Sequence, residues 1–248
     1  LITQRDDLLA CRRFFRGQNM NISVIVTTKD EEKNIARCLA SIHRQRYKGK
    51  EIIVIDNNST DRTKELAREY TTKVYNKGPE RSAQRNFGIT KAKGSCILIL
   101  DADMELNNGL LRECGAAMKK GNDALIIPEQ FIAKGYWSKC KALEKSAYAG
   151  TNEAQAARFF KKNVLQKLGG YDEMLTGPED IDLHKRLLHA GYAIGRVHAS
   201  IKHYDEHMSL TSLVKKRFYY SRDLQKYFSK HGRSEMQLIR PAFFKNWR

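Results

Sequence analysis

Apolar residues in the first hundred positions fall into short continuous blocks that stop at polar clusters. Residues 21–28 contain Ile22, Val24, Ile25 and Val26, a β-branched run that predicts a strand buried on both faces. Glu51–Asp56 repeats the pattern with Ile52, Ile53, Val54 and Ile55, and Ser95–Leu100 repeats it behind the breaker Gly94. Between the blocks the period changes. Ile35, Leu39 and Ile42 recur at helical spacing up to the break at Tyr47–Gly49. A second helix is expected through Tyr70, capped by Ser59 or Thr60, and a short strand follows near Lys73–Tyr75. A third helix, after Gly78–Pro79, carries Arg81, Arg85 and Asn86. Strands alternating with helices at this spacing predict right-handed βαβ units. The fold class is α/β, with a Rossmann-like, mostly parallel sheet flanked by helices.

Three of the predicted strands end in polar clusters: Thr27–Glu31, Asp56–Asn58 and Asp101–Asp103. All three belong at the carboxyl edge of the sheet, where open α/β sheets bind ligands. Asp101 and Asp103, one residue apart on an extended chain, are expected to face the same side and to share one cation. No Gly-x-Gly-x-x-Gly or Walker-type turn is present, which disfavours dinucleotide oxidoreductases and P-loop phosphotransferases. A nucleotide held by carboxylates and a divalent cation fits instead.

The second half is less regular. A strand is expected over Asp123–Pro128, a helix over Tyr136–Tyr148, an extended stretch over Ala154–Phe160 and a short helix over Asn163–Leu168. Thr176–Leu183 reads as a loop opening a helix, with Glu179, Asp180 and Asp182 in the first turn, where the helix dipole favours carboxylates. Asp182 is read as a helix-start residue, and Asp180 as a candidate base.

A chain of 248 residues, 41% hydrophobic, is long enough for a substantial core. The five cysteines show no zinc-ligand spacing, and reduced thiols are expected. With Arg5, Asp6 and Asp7 near its start, and no apolar run of bilayer length, the chain suggests a cytoplasmic location. The net charge of +17 asks for an anionic partner. It concentrates after His207, where ten Lys or Arg face only Asp223 and Glu235. Leu213, Val214, Phe218, Leu224 and Phe228 fall largely on one helical face there, ringed by Lys215, Lys216, Arg222, Lys226 and Lys230. This helix either packs on the domain or meets an anionic membrane surface peripherally, where each cation is worth about 1 kcal/mol. The expected division is a basic leader (1–20), a catalytic domain (21–206) and a basic helical tail (207–248). Nucleic acid is disfavoured as a partner because acidic strand ends would repel its backbone.

In order along the chain, six motifs resemble those of the inverting family-2 glycosyltransferases of the GT-A fold: Ile25–Ile35, Ile52–Asp61, Arg85–Ile89, Leu100–Asp103, Leu168–Glu173 and Glu179–Leu183. The resemblance implies transfer of one sugar from a UDP- or GDP-sugar to a glycan or lipid-linked acceptor, with Mg2+ or Mn2+. It implies that Thr27, Thr28, Lys29, Glu31, Asp56 and Asn58 hold the nucleoside. Arg81 and Arg85 would face the diphosphate, beside Asp101 and Ala102. Asp103, with Asp101 and His203, would hold the metal. Asp180 would be the catalytic base, with Glu179 supporting it or touching the acceptor. A nucleotidyltransferase with a similar sheet is the enzymatic rival, and a basic nucleic-acid-binding protein the non-catalytic one. Thr27 and Lys29 replace a Pro and an aromatic common in the family, and Asp56-Asn57-Asn58 replaces a run with a second Asp and a Gly. These departures leave the base undefined. Gln237–Pro241 lacks the Trp of the processive Gln-x-x-Arg-Trp motif, and the closing Pro241–Arg248 resembles a juxtamembrane approach.

Overall fold

A computed structural model describes residues 20–146, 155–206 and 209–232. The basic leader, the end of the 136–148 helix, and the 237–248 motifs lie outside the described residues.

The buried blocks form the centre of the main sheet: β1 (Ile22–Thr28), β2 (Lys50–Asp56), β3 (Val74–Asn76) and β4 (Cys96–Asp101). All four are parallel, in the order β3-β2-β1-β4. Beyond β4 the sheet continues through β8 (Phe159–Lys161), β6 (Ala124–Ile126) and β9 (Ile194–Arg196), with β8 antiparallel to both its neighbours. The helices are α1 (Ile35–His43), α2 (Thr63–Arg68), α3 (Arg81–Lys91), α4 (Leu110–Lys119), α5 (Tyr136–Ser146), α6 (Lys162–Lys167) and α7 (Glu179–His189).

Strand alternation divides the core in two. Val24, Val26, Leu98 and Leu100 pack against α1 and α4 through Leu39, Ile42, Leu111 and Cys114. Ile25, Ile97 and Ile99 turn the other way, to α3, α6 and α7 through Ile89, Leu165, Leu183 and Leu187. Both faces of the strands are therefore apolar, as the continuous runs require. Register places Thr28 beside Asp56, and Thr27 beside Asp101, at one carboxyl edge.

Sequence pattern did not disclose a second sheet, made of β5 (Met104–Leu106), β10 (Ile201–Glu206) and β7 (Glu129–Lys134) in the order β5-β10-β7. Its strands are short and half-polar, so no continuous apolar run marks them. Three other expectations change. The helix expected from residue 60 begins at Thr63, and Arg62 at its N-cap makes no side-chain capping bond. Ser59 instead spends its hydroxyl on Asp56. The single tail helix is two, α8 (Leu210–Ser221) and α9 (Leu224–His231), so its apolar residues do not share one continuous face. This segment is laid onto the domain: Thr176 N donates to Asp223 Oδ2 (3.1 Å), and Lys230 meets both Asp172 and Asp182. Asp182, also bonded by Arg186 and His231, serves as that anchor. The four described cysteines are free thiols, as expected.

At the opposite edge, Glu51 gathers Ser23, Lys73 and the backbone N–H groups of Lys93 and Gly94. Burial would raise its carboxyl, but these donors hold it at about 2 instead of 4.5. A depressed carboxyl stabilises the fold above its unfolded pKa and loses that contribution as pH falls through the folded one. Glu51→Gln is expected to lower unfolding free energy at pH 7 by about 1–3 kcal/mol. In urea titrations the gap from wild type should narrow from about pH 4.5 downward. A gap that does not change with pH would contradict this.

Helix α3 lies close to β1 because Gly88 has no side chain: a Cβ there would sit 2.5 Å from Ile25 Cγ2. Gly88→Val should cost about 1–3 kcal/mol by overpacking, read as a fall in Tm of roughly 2–10 °C.

Candidate active site: a carboxylate cleft around a buried arginine

The close approach of α3 fixes Arg85, whose guanidinium is fully buried at the carboxyl edge of the sheet. Its Nη1 donates to Asp180 Oδ1 (2.6 Å) and Glu179 Oε1 (3.1 Å), both at the start of α7. Its Nη2 donates to Asp101 Oδ1 (3.2 Å) at the end of β4. The ring of Tyr171 lies 5.1 Å away and completes the cage. One cation thus ties the sheet edge to the mouth of α7. Thr27 Oγ1 donates to the same Asp101 oxygen (3.0 Å), while Arg81 and Arg158 stand 3.8 and 3.9 Å from the other. Burial alone would raise the Asp101 carboxyl, but Arg85, Arg81 and Arg158 hold it far below the usual range. Glu179 goes the opposite way, raised by burial and by the neighbouring Asp180 charge.

The second sheet supplies the other wall. Register sets His203 against Met104 on one side and Phe131 on the other. His203 Nε2 lies 3.1 Å from Asp103 Oδ2, and Nδ1 lies 3.1 Å from Glu129 Oε2. Burial disfavours its charge, but the two carboxylates outweigh burial and raise it to about 9. Glu129 also accepts from Arg158 Nε (2.6 Å). A chain of contacts therefore runs from Asp103 through His203, Glu129, Arg158, Asp101 and Arg85 to Asp180.

The strand does not continue through the Asp-x-Asp motif. β4 ends at Asp101 and residues 102–103 turn, so the expectation that strand alternation points both carboxylates one way is corrected. Asp101 is surrounded by arginines. Asp103 Oδ1 is buried and has no partner among the described residues, and neither do Thr28 Oγ1 and Arg85 Nε. A carboxylate oxygen stripped of water without a partner is costly, so this atom suits a cation. Asp103 therefore fits a divalent metal ligand, while Asp101 fits a counter-charge to the arginines.

The remaining expected residues scatter along the same edge. Asp56 is fully buried, and its two oxygens accept from Ser59 N (2.8 Å) and Ser59 Oγ (2.5 Å), so it shapes its own turn. Asn58 holds a left-handed φ of 52° in that turn. Glu31 accepts from Asn34 (2.7 Å), and its carboxyl is raised by burial and by Asp103 and Asp101. Lys29 is exposed, and Ala102 is buried, its N–H donating to Thr27 O. Sequence reading missed Gln84, which donates to Thr28 O (3.1 Å) and Ile55 O (2.7 Å) and so joins two strand ends to α3. It also missed Glu129 and Arg158, which lie far along the chain from the clusters they join, and it gave Tyr171, inside the Leu168–Glu173 motif, no role. Removing Arg85 strands three carboxylates, one of them, Glu179, almost fully buried. Arg85→Met should cost about 3–5 kcal/mol in urea unfolding, and Arg85→Lys should recover only part of it. A wild-type unfolding midpoint in Arg85→Met would contradict this.

The family model for "Glycosyl transferase family 2" matches residues 23–173, more than half of the chain. The chain is 29% identical over 195 residues to Glycosyltransferase AglE of Haloferax volcanii. It is 28% identical over 207 residues to the GalNAc(5)-diNAcBac-PP-undecaprenol beta-1,3-glucosyltransferase of Campylobacter jejuni. Each alignment covers 71% of this chain but 64% of the relative, so the chain spans under two thirds of either relative's length. Among solved structures, the fold resembles S. aureus TarS 1-349 in complex with UDP-GlcNAc (TM-score 0.60, 21% identity, 77% of this chain and 59% of that one). It also resembles the mannosyltransferase PcManGT of Pyrobaculum calidifontis in complex with GDP-Man and Mn2+ (TM-score 0.62, 18% identity, 92% and 72%). The fold is GT-A. Motif order, sheet topology and the family match agree, and the chain belongs to glycosyl transferase family 2.

Proposed function

We propose that this chain transfers a single sugar from a UDP- or GDP-sugar to an acceptor hydroxyl, with inversion and with the help of Mg2+ or Mn2+. The reading rests on one observation: an unbroken chain of contacts links Asp103, Asp101 and Asp180 through His203, Glu129, Arg158 and Arg85. Asp103 would hold the cation through its unpartnered Oδ1. When bound, the cation neutralises charge building on the departing diphosphate. His203 keeps Asp103 in place through its other oxygen. Arg81, its side chain 37% exposed beside Asp101, is placed to meet the diphosphate. Thr28, with its unpartnered Oγ1, serves the nucleoside side, together with Thr27, Lys29, Glu31 and Asn58. Asp56 contributes by fixing the turn.

Exposure separates the carboxylates around Arg85. Asp180 is 27% exposed, against 14% for Asp101 and 4% for Glu179. Asp180 is the one an incoming acceptor reaches. The acceptor oxygen bonds to the anomeric carbon as the bond to the diphosphate breaks, and Asp180 takes the hydroxyl proton. One displacement inverts the centre. Glu179 accepts from Gly177 N (2.6 Å) and from Arg85, and so positions the start of α7. The acceptor class is a glycan or lipid-linked glycan, in keeping with the undecaprenol in the name of the Campylobacter relative. The complexes of TarS with UDP-GlcNAc and of PcManGT with GDP-Man and Mn2+ support the donor class.

A thermal-shift panel of UDP- and GDP-sugars with Mn2+ is expected to raise Tm for one base class. With that donor, Asp180→Asn should lower kcat by about 10²–10⁴-fold while keeping the donor-induced shift. Undiminished transfer by Asp180→Asn would refute the assigned base.

A further inference from the structure

Two helices outside the site carry exposed apolar side chains. On α8, Leu210, Val214 and Phe218 recur at every fourth position, and all are exposed, Phe218 by 78%. No residue of α8 is buried. On α5, Tyr136 (71% exposed) and Leu143 share a face with Lys139, and Trp137 packs edge-on against Tyr136. An ion pair between Arg217 and Glu144 connects the two helices, and the exposed Phe218 and Leu143 neighbour its two ends in sequence.

Most of the charge carried by these two helices is positive. α8 carries Lys215, Lys216 and Arg217 and no acidic residue, and Glu144, the single acid of α5, is taken up by Arg217. Lys139 and Lys145 complete the exposed rim. Apolar groups at helical spacing inside a cationic rim match an anionic bilayer surface, where the former enter the headgroup boundary and the latter meet phosphate. A second copy is a poor occupant, because a chain of net charge +17 would bring two cationic rims face to face.

The same helix reaches the cleft from its other side. Arg81 Nη2 donates to Tyr220 Oη (2.6 Å), Tyr219 donates to Glu80, and a Cβ on Gly177 would meet Tyr220 O at 2.7 Å. We infer that the paired faces of α5 and α8 dock this protein on an anionic phospholipid surface, with the mouth of the carboxylate cleft beside the membrane. Docking is independent of glycosyl transfer and is read without it.

The test is co-flotation of the full chain with vesicles of equimolar phosphatidylglycerol and phosphatidylcholine, or of phosphatidylcholine alone, at about 0.05 M and about 0.5 M salt. Flotation is expected with the anionic vesicles at low salt and should fall at high salt. Val214→Ser/Phe218→Ser and Lys139→Glu/Lys215→Glu each change exposed positions, so folding is expected to hold and is checked by Tm. Each pair should weaken binding by roughly tenfold or more. Three results would overturn the inference: no flotation of wild type, flotation unchanged in both variants, or lipid-free self-association that Val214→Ser/Phe218→Ser abolishes.

Discussion

A guanidinium with no exposed surface, Arg85, is the constraint on which the cleft depends. Three carboxylates from β4 and α7 converge where the sheet ends, and without a cation between them their repulsion in a low-dielectric pocket would push the elements apart. Arg85 turns that repulsion into a clamp. Its planar fork serves partners on both sides at once, which a lysine ammonium on a single flexible stem does less well. The clamp needs α3 to lie close against β1, and Gly88, one turn along the helix, allows it. Backbone packing and site electrostatics are therefore one problem here.

Charge is graded along the cleft. Asp101 is saturated by arginines and stays ionised, Glu179 is buried and raised, and Asp180 is the carboxylate that faces outward. At the far end His203 sits between two carboxylates that favour its charged form. Only Asp103 retains an uncompensated buried oxygen among these carboxylates. Similar side chains thus take different roles through their surroundings.

Much of this was legible in the sequence, for physical reasons. Strands buried on both faces announce themselves as unbroken Ile, Leu and Val runs, so β1, β2 and β4 and the polar residues that end them were readable. Asp101, Asp103 and Asp180 stood out because turns at strand and helix ends carry charge, whereas Arg81 and Arg85 were marked for the site only by the family resemblance. Glu129 and Arg158 did not, since their partners are fixed by the second sheet and by the antiparallel β8, whose strands are too short and too polar to show a period. Strand alternation misjudged the Asp-x-Asp motif, because the chain turns after Asp101. The tail misled in a similar way: a periodic apolar face was visible, but not the break between α8 and α9 or the Tyr220–Arg81 bond that ties it to the cleft.

In the proposed function, Asp103 completes a divalent-cation site with a nucleotide's diphosphate. Mn2+ titration followed by electron paramagnetic resonance, with and without the nucleoside diphosphate that stabilises the protein, tests this directly. The prediction is that nucleotide tightens Mn2+ binding to wild type by about tenfold or more, and that Asp103→Asn abolishes the enhancement. Equal nucleotide-dependent Mn2+ binding by wild type and Asp103→Asn would contradict it.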